Sequence, residues 1–415
     1  MNIYLIAKKL SHSFSKPIHN ELADYSYEYK ELEENEVGEF LKKKEFDGLN
    51  VTIPYKQTVM EFLDCISPEA IKIGAVNTIV NRDGKLCGHN TDYYGFSYEI
   101  KESGADITGK DVVVLGNGGA AKTVVCVCND LGAKSVSVVT SAELRAGDVE
   151  KYYGGQIVIN ATPVGMYPNT GAAVVDIGKF TKCEAVLDLI YNPAKPQLLL
   201  DAEKLGMKTA NGLGMLVAQA KKACEIFTES SVADSEIDRI RTKIENQTKN
   251  IVLVGMPGCG KSTVGTYLAE LTGREFFDSD EEISKKGKSP AELIKENGEE
   301  YFRQVETDVL SELCKKSGCV IATGGGAVKK ERNHDIIRQN ATVVFIEREL
   351  KRLSTQGRPL SQGGIETLEK LYKERLPLYK KVSNFSVKSQ KTWQETTALI
   401  IECMGIGKNA SERTN

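Results

Sequence analysis

The chain has 415 residues, which suggests about two to three domains, and its 41% hydrophobic content provides ample material for their cores. Its 54 lysines and arginines against 57 aspartates and glutamates give a net charge of -3 without a dense basic run, so we expect no nucleic acid partner. Residues 1–7 form too short an apolar run for a secretion signal, and no later run approaches the length that crosses a bilayer. We therefore expect a cytoplasmic protein without a membrane partner.

The first 100 residues alternate short apolar runs with helical segments. The runs at residues 3–7, 48–53 and 78–80 predict strands. The alternation predicts a separate α/β substrate lobe, and the cleft would lie between this lobe and the next.

The ten cysteines are scattered along the chain. The close pair Cys126 and Cys128 lacks a second pair, or histidines, at the spacing of zinc ligands, so we expect reduced thiols. Cys259 lies in a glycine-rich loop at a helix N-terminus, where a thiol could be reactive. The interpretation of Cys259 as a small filler residue is favoured.

A glycine-rich turn follows the strand predicted over residues 111–115. The turn has the order GxGxxA over residues 116–121, and it leads into a helix to about residue 129 and a second strand over 135–139. This order is typical of dinucleotide-binding folds, in which small residues allow a tight turn and the close approach of a pyrophosphate. Strands predicted over residues 157–160 and 185–189 extend the unit into a parallel sheet.

Six ordered segments in residues 1 to about 230 resemble the signature motifs of shikimate dehydrogenases. Six motifs at matching intervals are far more specific than one glycine-rich turn. The segments are 12–15 (HSFS), 48–56 (GLNVTIPYK), 74–78 (GAVNT), 88–92 (GHNTD), 160–166 (NATPVGM) and 212–219 (GLGMLVAQ).

The resemblance implies that Lys56 and Asp92 form a proton-transfer pair. An ammonium group held by a carboxylate can donate to the alkoxide that hydride reduction of a ketone creates. The resemblance further implies a substrate pocket formed by Ser13, Ser15, Thr52, Asn77, Asp92, Tyr191 and Gln219. It implies dinucleotide contacts at Gly116, Gly118, Gly119, Ala120, Ala121, Thr140, Arg145, Thr162, Met166, Gly212 and Met215. A lone lysine is commonly a solvated residue and a lone aspartate a helix N-cap, so the interpretation depends on their joint context.

The segment after the second dinucleotide strand departs from the family pattern. Many members carry an arginine there that binds the 2′-phosphate of NADP, and this chain has Ser141 instead. No acidic residue ends the strand to favour NAD, although Glu143 and Arg145 are close enough to substitute. NADP is favoured by the resemblance and by Arg145 as a replacement phosphate ligand, and NAD stays open.

A second nucleotide motif begins at residue 251, after a polar, charged segment at about 230–250 that predicts a connecting helix or linker. An apolar strand runs into GxxxxGK[S/T], and a helix is predicted over residues 261–271. The loop amides can cradle phosphates, Lys261 can reach the β- and γ-phosphates, and Ser262 can ligate Mg²⁺. The predicted ATP-binding residues are Gly258, Cys259, Gly260, Lys261, Ser262, Thr263 and Arg358.

Residues 250 to about 405 resemble shikimate kinase. The motifs that follow the phosphate loop are 277–280 (FDSD), 298–306 (GEEYFRQVE), 322–326 (ATGGG), 357–360 (GRPL) and 375–379 (RLPLY). Asp278 would bind Mg²⁺ with Ser262, and Asp280, two residues along an extended strand, would share its face and deprotonate the acceptor hydroxyl. Arg303 and Arg375 would clamp the substrate carboxylate beside Gly325 and Gly326, and Arg358 would meet the transferred phosphoryl group.

Together the two resemblances imply a bifunctional enzyme of aromatic amino acid biosynthesis, in which one half makes the substrate of the other. We predict reduction of 3-dehydroshikimate with NADPH, then phosphorylation of shikimate with ATP and Mg²⁺. Its fold would be mixed α/β, with an α/β substrate lobe, a Rossmann-type lobe and a P-loop kinase domain with a parallel sheet. The predicted segments are 1–100 (closed by helices at about 213–230), 101–212, a linker at 231–249, 250–405 and a tail at 406–415.

Three alternatives stay open. The first domain could prefer quinate or NAD. It could instead bind shikimate without turnover, although a binding module has no need of Lys56 and Asp92. The kinase could act on another small alcohol such as gluconate, which the paired arginines Arg303 and Arg375 disfavour.

Overall fold

A computed structural model describes residues 1–10, 13–353 and 364–406. The chain divides into two compact units, one comprising Met1–Met166, Ala172–Tyr191 and Leu198–Lys243, and the other Tyr167–Gly171, Asn192–Gln197 and Ile244–Asn415. The division falls within a helix, Ser235–Thr248, in the segment predicted to connect the two halves. None of the helices in the described ranges is long and apolar enough to cross a membrane.

The first unit begins with a six-stranded sheet in the order β2-β1-β3-β5-β6-β4. Its strands are β1 Asn2–Ala7, β2 Ser26–Glu31, β3 Gly48–Val51, β4 Cys65–Ile66, β5 Thr78–Arg82 and β6 Lys85–His89. The accompanying helices are α1 Ser15–Leu22, α2 Glu34–Lys43, α3 Pro68–Ile73 and α4 Asp92–Ser103. Strands β5 and β6 form a hairpin whose two loop residues, Asp83 and Gly84, both have positive φ, as a tight hairpin turn requires.

A disulfide between Cys65 and Cys87 shows that the expectation of reduced thiols is wrong for these two residues. Cys65 lies on β4 and Cys87 on β6, and the two are register partners in the sheet. They are 22 residues apart in the chain, so their spacing gave no indication of a pair, and pairing of the strands brings them together. The other eight cysteines are free.

The second sheet of this unit is parallel throughout, in the order β11-β10-β9-β7-β8. Its strands are β7 Asp111–Leu115, β8 Ser135–Val139, β9 Ile157–Asn160, β10 Ala185–Asp188 and β11 Lys208–Asn211. The helices are α5 Gly119–Asp130, α6 Ser141–Ala146, α7 Gln197–Lys204 and α8 Leu213–Thr228, followed by α9 Ser235–Thr248. Helix α8 packs against α4 and α1, which brings the end of the dinucleotide lobe back to the first sheet.

The second unit contains a five-stranded parallel sheet in the order β13-β14-β12-β15-β16. Its strands are β12 Asn250–Val254, β13 Phe276–Asp278, β14 Val320–Ala322, β15 Ala341–Glu347 and β16 Phe385–Lys388. The helices are α10 Lys261–Thr272, α11 Ser279–Lys285, α12 Pro290–Asn297, α13 Glu299–Cys314, α14 Glu331–Arg338, α15 Gly364–Val382 and α16 Trp393–Cys403. All five residues of β12 are buried, as expected of a central parallel strand covered on both faces. The prediction of a mixed α/β fold with parallel sheets is confirmed.

Candidate functional sites

A cavity of about 390 Å³ lies in the first unit, where β3 ends and α4 and α8 begin. All of the residues predicted to bind the dehydrogenase substrate or to transfer its proton line this cavity: Ser13, Ser15, Thr52, Lys56, Asn77, Asp92, Tyr191 and Gln219. Three of the predicted dinucleotide residues line it as well: Ala120, Gly212 and Met215. Motifs spread over about 200 residues therefore meet in one place.

Lys56 and Asp92 form an ion pair in this cavity. Lys56 Nζ lies 2.6 Å from Asp92 Oδ2, and the two side chains are 24% and 15% exposed. The backbone positions both residues: Lys56 accepts a hydrogen bond from the amide of Val76, and Asp92 is the first residue of α4. Thr91 occupies the N-cap position, so the Asp92 carboxylate points to Lys56 instead of capping the helix.

Thr91 also belongs to a buried hydrogen-bond network that the sequence motifs did not single out. Its amide donates to Asn77 Oδ1 at 2.7 Å, and Asn77 Nδ2 donates to the Thr91 hydroxyl at 3.1 Å. The Thr91 hydroxyl also lies 3.4 Å from Gln219 Oε1. The network ties two predicted substrate ligands to the residue before Asp92.

The dinucleotide turn lies at the carboxyl ends of parallel strands, where such folds bind ligands. Gly116 has a φ of 100°, and a Cβ there would lie 2.7 Å from Thr162 Cγ2, so this close approach requires glycine. Gly118 and Gly119 face open space. Met166, at 45% exposure, does not line the cavity.

Two buried residues to which the sequence analysis assigned no role fix Thr162. Asn160 Oδ1 accepts from the Thr162 amide at 2.9 Å and from its hydroxyl at 2.7 Å. Asn160 Nδ2 in turn donates to both carboxylate oxygens of Asp188 at 3.0 Å. Burial raises the pKa of Asp188 to about 7. Asp188 ends β10 beside the end of β9, a pairing that requires knowledge of the strand order.

The carboxylate of Glu143 is already engaged by other groups. Thr140 is the N-cap of α6 and forms a capping box with Glu143, which also accepts from Lys151 Nζ at 2.7 Å and from the Tyr152 hydroxyl at 2.9 Å. Hydrogen bonds from Lys151 and then Thr140 lower the pKa of Glu143 to about 2. Arg145 is exposed and makes no ion pair with any residue in the described ranges.

A second cavity, of about 1010 Å³, lies in the second unit at the phosphate loop. The predicted kinase residues that line it are Gly258, Gly260, Lys261, Ser262, Thr263, Asp278, Asp280, Arg303, Gly325 and Arg375. Cys259 is buried and does not line it, and Gly326 lies behind it, where an added Cβ would overlap the guanidinium of Arg303. Arg358 lies outside the described residues.

Lys261 and Ser262 are held close to the loop. Lys261 Nζ donates to the carbonyls of Gly255 and Met256 at 2.9 and 3.0 Å, and the residue is 8% exposed. Ser262 Oγ donates to Asp278 Oδ2 at 2.5 Å. The prediction that Asp280 continues an extended strand is wrong, because Asp278 caps α11 by accepting from the Asp280 amide, and the helix starts at Ser279. Both aspartates nevertheless line the cavity.

The two predicted carboxylate-binding arginines differ in their surroundings. Arg303 donates to Glu299 at 3.0 Å and to Glu306 at 2.8 Å. Arg375 is 2% exposed, makes no ion pair among the described residues, and leaves its buried Nε without a partner. Glu306, which lay in a quoted motif without an assigned role, is fully buried, and burial raises its pKa. Glu306 is three residues after Arg303 on a predicted helix, and this spacing could have indicated the ion pair, because such residues are neighbours on a helix surface.

These folds and cavities define a chain with a Rossmann-type oxidoreductase unit and a P-loop phosphotransferase unit. Residues 5–79 match the family model described as shikimate dehydrogenase substrate binding domain, and residues 257–405 match that of shikimate kinase. A shikimate dehydrogenase (NADP(+)) from Clostridium beijerinckii is 39% identical over 266 residues, which cover 59% of this chain and 98% of that protein. The chain belongs to the shikimate dehydrogenase family and carries a shikimate kinase domain in addition.

Solved structures agree with this assignment. A chorismate mutase/shikimate 5-dehydrogenase fusion protein from Clostridium acetobutylicum aligns with a TM-score of 0.55 at 37% identity, covering 59% of this chain and 97% of that chain. A shikimate 5-dehydrogenase from Thermus thermophilus, solved in complex with NADP(H) and shikimate, aligns with a TM-score of 0.53 at 29% identity, covering 58% and 98%. The chain is therefore a bifunctional enzyme of the shikimate pathway, with dehydrogenase and kinase domains.

Proposed function

We propose that the chain catalyses two consecutive reactions, the reduction of 3-dehydroshikimate to shikimate with NADPH and the phosphorylation of shikimate at its 3-hydroxyl with Mg-ATP. The order follows from the chemistry, because phosphorylation needs the alcohol that reduction creates. Residues 1–230 would carry out the first reaction and residues 250–405 the second. The observation that carries the proposal is the convergence of the predicted dehydrogenase substrate residues on one cavity and of ten predicted kinase residues on another.

In the first reaction, Lys56 is the proton donor. When NADPH is bound, its nicotinamide would provide the hydride for the ketone carbon. As the carbonyl oxygen gains negative charge, the Lys56 ammonium donates a proton to it, and Asp92, 2.6 Å away, holds that ammonium in place. Asn77, Gln219 and Thr52 orient the ring hydroxyls, while Ser13, Ser15 and Tyr191 take up the remaining polar groups of the substrate.

In the second reaction, Asp280 accepts the proton of the 3-hydroxyl, and the substrate carboxylate binds between Arg303 and Arg375. When ATP is bound, it would provide the phosphoryl group. Lys261 and the loop amides hold its phosphates. Ser262 Oγ and Asp278 Oδ2 are hard oxygen donors only 2.5 Å apart, so they fit Mg²⁺ as direct ligands or through its waters.

The surroundings of Glu143 favour NADP over NAD. An NAD site typically offers a carboxylate to the ribose hydroxyls, and the Glu143 carboxylate is occupied by Thr140, Lys151 and Tyr152. The Arg145 guanidinium, which makes no ion pair with a described residue, suits a 2′-phosphate. Relatives have been solved with either nucleotide, NADP(H) in the Thermus thermophilus enzyme and NAD in a shikimate 5-dehydrogenase from Listeria monocytogenes. The choice of NADP therefore depends on Glu143 and Arg145.

A coupled assay on the full-length chain tests the proposal. It supplies 3-dehydroshikimate, Mg-ATP and either NADPH or NADH, and it follows nucleotide oxidation and shikimate 3-phosphate. We expect both signals with NADPH and much slower oxidation with NADH. Phosphorylation only of added shikimate would overturn the dehydrogenase half and favour a non-catalytic binding module. Faster oxidation of quinate than of shikimate in the reverse direction would overturn the substrate assignment.

A further inference from the structure

The charges that line the dehydrogenase cavity do not cancel. The charged residues among its lining are Lys9, Lys56 and Asp92. Lys56 and Asp92 neutralise each other across 2.6 Å. Lys9 makes no ion pair with any part of the chain that the structure describes, so the cavity has one uncompensated positive charge.

Lys9 belongs to the same connection as two predicted substrate ligands. It follows β1, while Ser13 precedes α1 and Ser15 opens it, and all three residues line the cavity. The tyrosine hydroxyl of Tyr29 holds this connection, because it donates to the Ser13 carbonyl at 2.8 Å and accepts from the Lys16 amide at 3.1 Å. Tyr29 therefore fixes the backbone at Ser13 and at Lys16, on either side of Ser15.

We infer that Lys9 is a specificity-determining residue of the dehydrogenase, whose ammonium binds the carboxylate of the substrate alongside Ser13 and Ser15. The inference depends on the proposed function, which supplies a monoanionic substrate. Serine hydroxyls can orient a carboxylate but carry no charge, and the Lys56 charge is already balanced by Asp92. Lys9 supplies the attraction that distinguishes an acid from a neutral analogue of the same shape.

Lys8 provides a matched control one residue away. Its Nζ lies 3.2 Å from Glu33 Oε2, and the hydrogen bond that it donates to Glu33 raises its pKa. It does not line the cavity. Lys8 and Lys9 are both exposed and share charge, size and location in the sequence, but only Lys9 lines the cavity.

The experiment compares Lys9→Gln, Lys9→Arg and Lys8→Gln in the full-length chain, with the kinase activity of each preparation reporting the amount of folded protein. For Lys9→Gln we expect the KM for 3-dehydroshikimate to rise about tenfold, equivalent to about 1.4 kcal/mol, with kcat within about twofold of wild type. The KM for NADPH should not change. Lys9→Arg should recover most of the loss, and Lys8→Gln should match wild type.

The methyl ester of 3-dehydroshikimate separates recognition of charge from a structural effect. If Lys9 binds the carboxylate, Lys9→Gln will leave the KM for the ester unchanged. An equal rise for acid and ester, or no rise for the acid, would overturn the role of Lys9 alone. Absence of turnover by the wild-type chain would instead overturn the proposed dehydrogenase function, so the two failures are distinct.

Discussion

Glu99 Oε2 accepts a hydrogen bond of 2.7 Å from the amide of Met215, so a buried carboxylate on α4 caps the first turn of α8. Glu99 is 6% exposed, and burial raises its pKa to about 7. The contact joins the helix that begins with Asp92 to the helix that carries Met215 and Gln219. It therefore holds two walls of the dehydrogenase cavity together.

We expect Glu99 to make the stability of the first unit depend on pH. Folding raises the pKa of Glu99 from 4.5 to about 7. The contribution of Glu99 to the unfolding free energy is therefore complete below about pH 4.5 and is lost as the pH rises through about 7. The loss across this window is about 3 kcal/mol. Urea titrations at several pH values, with the loss of dehydrogenase activity as the probe of unfolding, give the unfolding free energy at each pH. This free energy should depend less on pH in Glu99→Gln than in wild type. The same profile for Glu99→Gln and for the exposed control Glu102→Gln would contradict this role.

Replacing Lys56 with methionine should leave the substrate bound but remove the proton donor. We expect kcat for 3-dehydroshikimate reduction to fall roughly 10²–10⁴-fold, with a small change in KM. Kinase turnover of added shikimate by the same protein serves as the control, because Lys56 lies in the other unit. Retention of more than a tenth of the wild-type kcat would exclude Lys56 as the donor.

The two arginines of the kinase cavity should respond differently to replacement by methionine. Arg303→Met leaves Glu306 buried without its partner, so we expect a loss of about 3–5 kcal/mol in unfolding free energy besides weaker binding. Arg375→Met breaks no ion pair among the described residues and should raise the KM for shikimate about 30-fold, or about 2 kcal/mol, with little loss of stability. Denaturant midpoints and kinase KM values measured together check this contrast. Equal destabilisation by both variants would contradict it.

Arg145→Ala should affect one nucleotide and spare the other. We expect the KM for NADPH to rise about tenfold, because the Arg145 guanidinium is the proposed ligand of the 2′-phosphate. The KM for NADH, which lacks that phosphate, should stay the same and is the internal control. A parallel rise for both nucleotides would mean that Arg145 acts on the shape of α6 instead.

Periodicity and motif order predicted much of the fold, and every residue predicted for the dehydrogenase substrate lines one cavity. Contacts between distant segments could not be predicted. Glu99 and Met215 are 116 residues apart, and Asn160 and Asp188 meet only because β9 and β10 are neighbours. The error at Asp280 was local, since an aspartate at the end of a strand can also cap a helix, and Asp278 does so.

The described residues that line each cavity all come from one unit of the chain. A defect in one active site therefore does not remove any side chain from the other. In a cell that depends on this gene, a copy with Lys56→Met and a second copy with Asp280→Asn should together support growth without added aromatic amino acids, although neither does so alone. In a genetic test, mutations in the two halves of this gene would therefore complement each other, as mutations in two separate genes do.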